Sequence, residues 1–210
     1  MIWGLHRSTT LPRKATPLAL GAVIASLLLS SASTQLPAGI VETYGALLRT
    51  GQMAGALDAL LDMSVQYASE RVQFGKPLAK FQAIQQELAK LAGYVAEAGV
   101  AADAAFAAAQ RAGAWDRGID PSFEIAAAKV VVGEAAELAP RIAHQVHGAI
   151  GFTYEHALHF ASRRLWSWRA EYGTASVWAE RLGKTAYEAG ADGLWPLVTG
   201  RTCVSGLLNF

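Results

Sequence analysis

The stretch IVETYGALLRTGQMAGALDALLDMSVQYASERVQFGKPLAKFQAIQQELAKLAGYV, residues 40–95, sets the architecture. Apolar residues recur every three or four positions from Ile40 to about Ala68: Leu47, Leu48, Ala54, Leu57, Leu61, Val65 and Ala68. That period belongs to an amphipathic α-helix. The segment Arg71-Val72-Gln73-Phe74-Gly75-Lys76-Pro77 then breaks it, because glycine and the residue before proline both disfavour helix. A second helical stripe resumes at once with Leu78, Phe81, Ile84, Leu88, Leu91 and Val95, and continues through alanine-rich sequence to about Gln110.

Working outward, Gly113 to Gly118 reads as a loop, and Asp120-Pro121 starts a third helix, with Asp as cap and Pro in the first turn. That helix runs toward Gln145, is expected to kink at Pro140, and ends at Gly148-Ala149-Ile150-Gly151. A shorter helix over Tyr154–Trp168 and a last one over Thr174–Ala189 follow. Long helices with short connections predict an all-α, up-and-down four-helix bundle with an extra short helix, spanning residues 40–190. Residues 191–210 are expected to form an irregular tail.

Composition narrows the function classes. Of 210 residues, 52% are hydrophobic and 17% charged, and the formal net charge is +1. Such a chain is not intrinsically disordered. It lacks the basic excess that phosphate-driven nucleic-acid binding requires. The single cysteine, Cys203, excludes an internal disulfide. No acidic residue precedes Glu42, and Arg7, Arg13 and Lys14 stand before an apolar run, Leu18–Leu29, followed by small residues. Residues 1–39 therefore resemble an export signal, although the run is shorter than the about 20 residues of a membrane span. The expected location is cytoplasmic, with export or membrane attachment through residues 18–29 as the alternative.

Two catalytic classes fail on the residues. His144/His147 and His156/His159 each share a helical face, but the Glu-x-x-His pattern of carboxylate-bridged metal bundles is absent, so no metal site is expected. These histidines read as surface or interface residues. No G-x-S-x-G nucleophile elbow is present, and Cys203 has no histidine near it in sequence.

Two further motifs carry a resemblance. Arg71-x-x-Phe74-Gly75, followed by Phe81-Gln82, and Gln145-x-His147-Gly148-Ala149-x-Gly151, together with Gly173-Thr174 opening the last helix, resemble the C-terminal helical domain of acyl-CoA dehydrogenases. The resemblance covers residues 41–189, about two-thirds of the chain. It implies FAD as cofactor and an acyl-CoA thioester as substrate: a carboxylate takes the α proton while the β carbon delivers hydride to the flavin. It also implies that Arg71, Phe74, Phe81, Gln82, Gln145, His147, Gly148 and Ala149 contact the FAD of a neighbouring subunit. Gly173, Thr174, Ala175 and Ser176 would contact the chain's own FAD. An arginine fork suits a pyrophosphate, and glycine lets a ligand approach the backbone.

The chain departs from the family at the base. The carboxylate that normally precedes Gly-Thr is replaced by Tyr172, with Glu171 one residue early, and the alternative position on the first helix is Gly45. A phenol is a poor base for an α proton at neutral pH. Glu171 and Glu42 are the nearest carboxylates in sequence. Residues 1–39 also cannot supply the two further domains that complete the family's flavin pocket. The expected protein is a fragment, or a base-lacking subunit paired with another acyl-CoA dehydrogenase chain in a homo- or hetero-oligomer. The alternative is a non-catalytic helical interaction module.

Overall fold

The computed structural model describes residues 39–113 and 120–200. The signal-like segment, most of the loop after Gly113, and Cys203 lie outside the described residues. Five helices make an all-α up-and-down bundle: α1 (Ile40–Glu70), α2 (Gln82–Ala112), α3 (Ser122–His147), α4 (Leu158–Trp168) and α5 (Ala175–Thr199). The first four long segments alternate in direction. The start of α1 meets the 171–178 region, and its end meets the end of α3 through Tyr67 and His147. The short α4 runs back along α3, with Ser162 beside His144 and the Trp168 carbonyl beside Lys129. From there α5 continues in the same direction.

The break at Arg71–Pro77 is a small hairpin rather than a plain loop. Strands β1 (Val72–Gln73) and β2 (Lys76–Pro77) pair antiparallel, Val72 with Pro77 and Gln73 with Lys76. The two turn residues, Phe74 and Gly75, have φ of 51° and 80°, the arrangement whose twist matches that of the strands it joins. A single 3-10 turn, Leu78–Lys80, follows, so α2 begins at Gln82 instead of Leu78. At the start of α3 the cap position falls to Pro121 rather than to Asp120, which stands one residue earlier and accepts from the Ser122 amide at 2.9 Å.

Two further expectations are corrected. The buried face of α1 is Ala46, Leu47, Thr50, Met53, Leu57, Leu60, Ser64 and Ala68, leaving Val65 exposed. The two hydroxyls escaped the apolar count because each is satisfied within the helix, Thr50 donating to Ala46 O and Ser64 to Leu60 O. Helix α3 carries Pro140 within it and continues to His147. Residues 191–199 are helical rather than irregular: Gly190, at φ 69°, breaks the axis and the chain resumes helix to Thr199.

Two apolar clusters fill the bundle. One joins Met53, Leu57 and Leu60 of α1 to Leu91 and Val95 of α2, the alanines of α3, and Leu158 and Leu165 of α4. The other gathers Ala46, Leu47, Ala105, Ala109, Ile125 and Trp178. The buried face of α2 beyond Val95 is entirely alanine. Small side chains there let α2 lie closely on α3.

Candidate functional site

The residues singled out by the motifs divide between the two ends of the bundle. Gly45 on α1 and Arg71 just past its end stand 26 residues apart, roughly 39 Å at helical rise. One dinucleotide held at one end is therefore not held by the residues of the other.

At the hairpin end, Arg71 is exposed and its guanidinium faces the Gln73 amide, whose oxygen accepts at 2.9 Å in the orientation that satisfies both groups. Phe74 sits at the tip, 91% exposed, in the left-handed region. A bulky residue there carries backbone strain. Its ring meets Phe81 edge-on at 6.2 Å, and Lys76 Nζ lies 4.3 Å from the centre of the Phe81 ring. Gln82, the first residue of α2, is exposed beside them. Across the same end, Gln145, Gly148 and Ala149 are exposed where α3 stops. Gly148 has φ 63° and open space where a Cβ would stand. A cavity of about 330 Å³ is lined there by Arg141, His144, Gln145, Gly148, Phe152 and Trp166.

Three of the four histidines at this end, His144, His147 and His159, are buried rather than on the surface, and His156 is half-buried. His147 is 3% exposed and stacks on Tyr67 at 4.5 Å, with His156 edge-on at 4.6 Å. Its Nδ1 must carry the proton, because it donates to the Ala143 carbonyl at 2.7 Å, which leaves Nε2 buried without a partner. His144 bonds Ser162 through Nε2 and stacks on Phe152 at 4.3 Å. Burial pushes the pKa of both His144 and His147 below the usual histidine value. Among the described residues no group of three or more His, Cys, Asp or Glu could hold a metal ion.

At the other end the two base positions converge. A Cβ built on Gly45 would lie 2.4 Å from the Tyr172 ring. The aromatic ring therefore fills the space over the glycine. Tyr172 has φ 55° and Gly173 φ 91°, and the Trp178 indole N–H donates to the Tyr172 carbonyl at 2.8 Å. The two neighbouring carboxylates are both engaged. Glu42 accepts both its bonds from Arg181, at 2.8 and 2.9 Å. Glu171 accepts from Arg49 Nε at 2.7 Å. Thr174 precedes α5 and its hydroxyl pairs with Ser176 at 2.8 Å.

One residue at this end has no counterpart in the motifs. Lys129 of α3 is fully buried and reaches the carbonyls of Glu171 at 2.8 Å, Trp168 at 3.3 Å and Arg169 at 3.4 Å. Burial lowers its pKa from the usual lysine value to about 8, partly offset by Glu171 and reinforced by Arg49. A lysine on an amphipathic helix reads as solvated, so only its place on the apolar stripe, between Ala126 and Val132, could have marked it.

The model of the acyl-CoA dehydrogenase C-terminal domain matches residues 43–187. The chain belongs to this family. An acyl-CoA dehydrogenase, IpdE2 of Mycobacterium tuberculosis, is 35% identical over 127 residues, covering 60% of this chain and 36% of that protein. Among solved structures, butyryl-CoA dehydrogenase from Megasphaera elsdenii superposes with a TM-score of 0.65 at 27% identity, over 70% of this chain and 37% of that one. The ChsE4–ChsE5 complex from Mycobacterium tuberculosis gives a TM-score of 0.58 at 27% identity, over 72% and 40%. The acyl-CoA dehydrogenase-like chain thus spans about a third of the length of such relatives. The match ends close to where α5 breaks at Gly190.

Proposed function

We propose that this chain serves as the helical part of an FAD-dependent acyl-CoA dehydrogenase, and contributes flavin contacts without a base of its own. The observation that carries this is the Tyr172 ring packed on Gly45, which leaves neither base position with a carboxylate. Glu42 and Glu171, held by Arg181 and Arg49, are not free to take the role.

The residues of the hairpin end fit a dinucleotide. Arg71 supplies a planar, charged fork for phosphate, Gln82 and Gln145 supply amides, and the bare backbone at Gly148 admits close approach. Bound FAD would supply the acceptor for the hydride that leaves the substrate β carbon. The α proton has no acceptor here, so it would pass to a carboxylate of a partner subunit. The separation of the two ends supports contact with two different flavins. Resemblance to IpdE2, and to a structure solved as a complex of two different chains, supports an unequal pair acting on an acyl-CoA thioester.

Co-expression with a complete dehydrogenase tests the reading. A yellow co-purified complex whose flavin content falls on Arg71→Ala is expected. Reduction of flavin by an acyl-CoA with this chain alone would overturn the missing-base reading. A colourless protein that takes up no FAD, alone or with the partner, would favour a purely structural helical module.

A further inference from the structure

Helix α4, LHFASRRLWSW, carries two adjacent arginines and no carboxylate. Its outward stripe is Phe160, Arg163, Arg164 and Ser167, all exposed and at the three- and four-residue spacing of one helical face. With the half-buried Trp168 they line an open groove of about 290 Å³.

An exposed arginine is ordinarily a solvated surface group. Here Arg49, Arg141, Arg169 and Arg181 each close on a carboxylate, whereas among the described residues Arg163 and Arg164 pair with none. Neither stands in the last turn of α4, where a cation would complement the helix dipole. Two cations side by side in one groove repel each other, and an anion seated between them relieves that repulsion.

The surroundings specify the anion. Guanidinium forks match the oxygens of a phosphate, and Ser167 adds a hydroxyl donor. Phe160, 56% exposed, stands one turn before Arg164, and Trp168 one turn after it. One turn is about 6 Å at helical rise, the scale that separates a nucleobase from its own phosphate. Arg49 already lies over the Trp168 ring at 5.3 Å, which leaves Phe160 as the stacking surface. The volume sits at the small end of the about 300–1,000 Å³ of ligand sites, enough for one nucleotide rather than a dinucleotide.

We propose that this groove on α4 binds a nucleoside phosphate, with the phosphate on Arg163, Arg164 and Ser167 and the base stacked on Phe160. The groove shares no residue with the flavin contacts proposed above, and the inference stands whether or not the flavin reading does.

Equilibrium dialysis of the full chain against labelled AMP tests the proposal, with adenosine and ribose 5-phosphate as competitors that each carry half of the ligand. AMP should bind about tenfold or more tighter than either half. The double variant Arg163→Ala, Arg164→Ala should weaken AMP about tenfold or more, and Phe160→Ala about fivefold or more. Arg71→Ala should leave AMP binding unchanged. Loss of binding in Arg71→Ala would place AMP at the flavin end and overturn the proposal. So would no bound AMP up to about 5 mM, or an affinity no better than that of ribose 5-phosphate. Where the alanine pair does not fold, Arg163→Lys with Arg164→Lys keeps the charge and loses the forks. That pair should bind about threefold or more weaker, and parent-like affinity would overturn the assignment. Retention of poly-glutamate without AMP would mark an acidic protein partner and overturn it too. Coenzyme A, which carries a phosphorylated adenosine, distinguishes the source: tighter binding than AMP supports the thioester's nucleotide, weaker binding a free nucleotide.

Discussion

The two ends of the bundle solve opposite problems. At the turn end four strong polar groups have internal partners: Glu42 with Arg181, Glu171 with Arg49, Trp178 with the Tyr172 carbonyl, Lys129 with three carbonyls. Even the space over Gly45 is filled. At the hairpin end Phe74, Phe152 and Tyr154 stand exposed, and three buried histidines, His144, His147 and His159, each keep a nitrogen without a partner. One end is complete within the chain. The other carries exposed apolar rings with no cover from the chain itself, the pattern of a surface open to contact.

That contrast can be broken by mutation. The largest effect is expected from Trp178→Ala, about 3–5 kcal/mol of stability by denaturant unfolding, since the indole is 1% exposed and bonded. Phe74→Ala should stay within about 0.5 kcal/mol, because the ring is almost wholly in water. Equal losses at the two sites would erase the distinction. Gly45→Ala should cost about 1–3 kcal/mol through overpacking against the Tyr172 ring. Pairing it with Tyr172→Ala should recover much of that loss, a non-additivity that a double-mutant cycle measures.

Acid sharpens the comparison from the other side. The folded state disfavours protonated His144 and His147, while the unfolded chain takes up protons near the ordinary histidine value. Stability should therefore be fully present above about pH 6.5 and be lost as pH falls through the lower folded values. Melting temperature measured from pH 7.5 to 5 should drop, and His147→Phe should flatten part of the slope. The smallest effect is expected from Glu42→Gln at the closed end. Its partly exposed pair with Arg181 should be worth less than about 1 kcal/mol and fade at high salt.

The sequence showed the bundle more clearly than the site. Helix α1 was legible nearly to the residue, because long apolar periodicity and a Gly-Lys-Pro stop are strong local signals. The hairpin was not, since two-residue strands leave no alternation to count. Helix after Gly190 was hidden by glycine, proline and scattered aromatics, which read as coil unless the chain restarts a helix beyond the break. The motifs located both ends of the candidate site. They could not show that Tyr172 and Gly45, 127 positions apart, touch. Nor could they reveal Lys129 as buried, because its partners are backbone carbonyls, which any sequence supplies.

The Tyr172–Gly45 contact also fixes the order in which this locus can change. A carboxylate introduced first at position 45 would have to pass through the ring already lying there, so that single step is blocked by bulk. Shrinking residue 172 first opens the space and leaves a fold that tolerates either outcome.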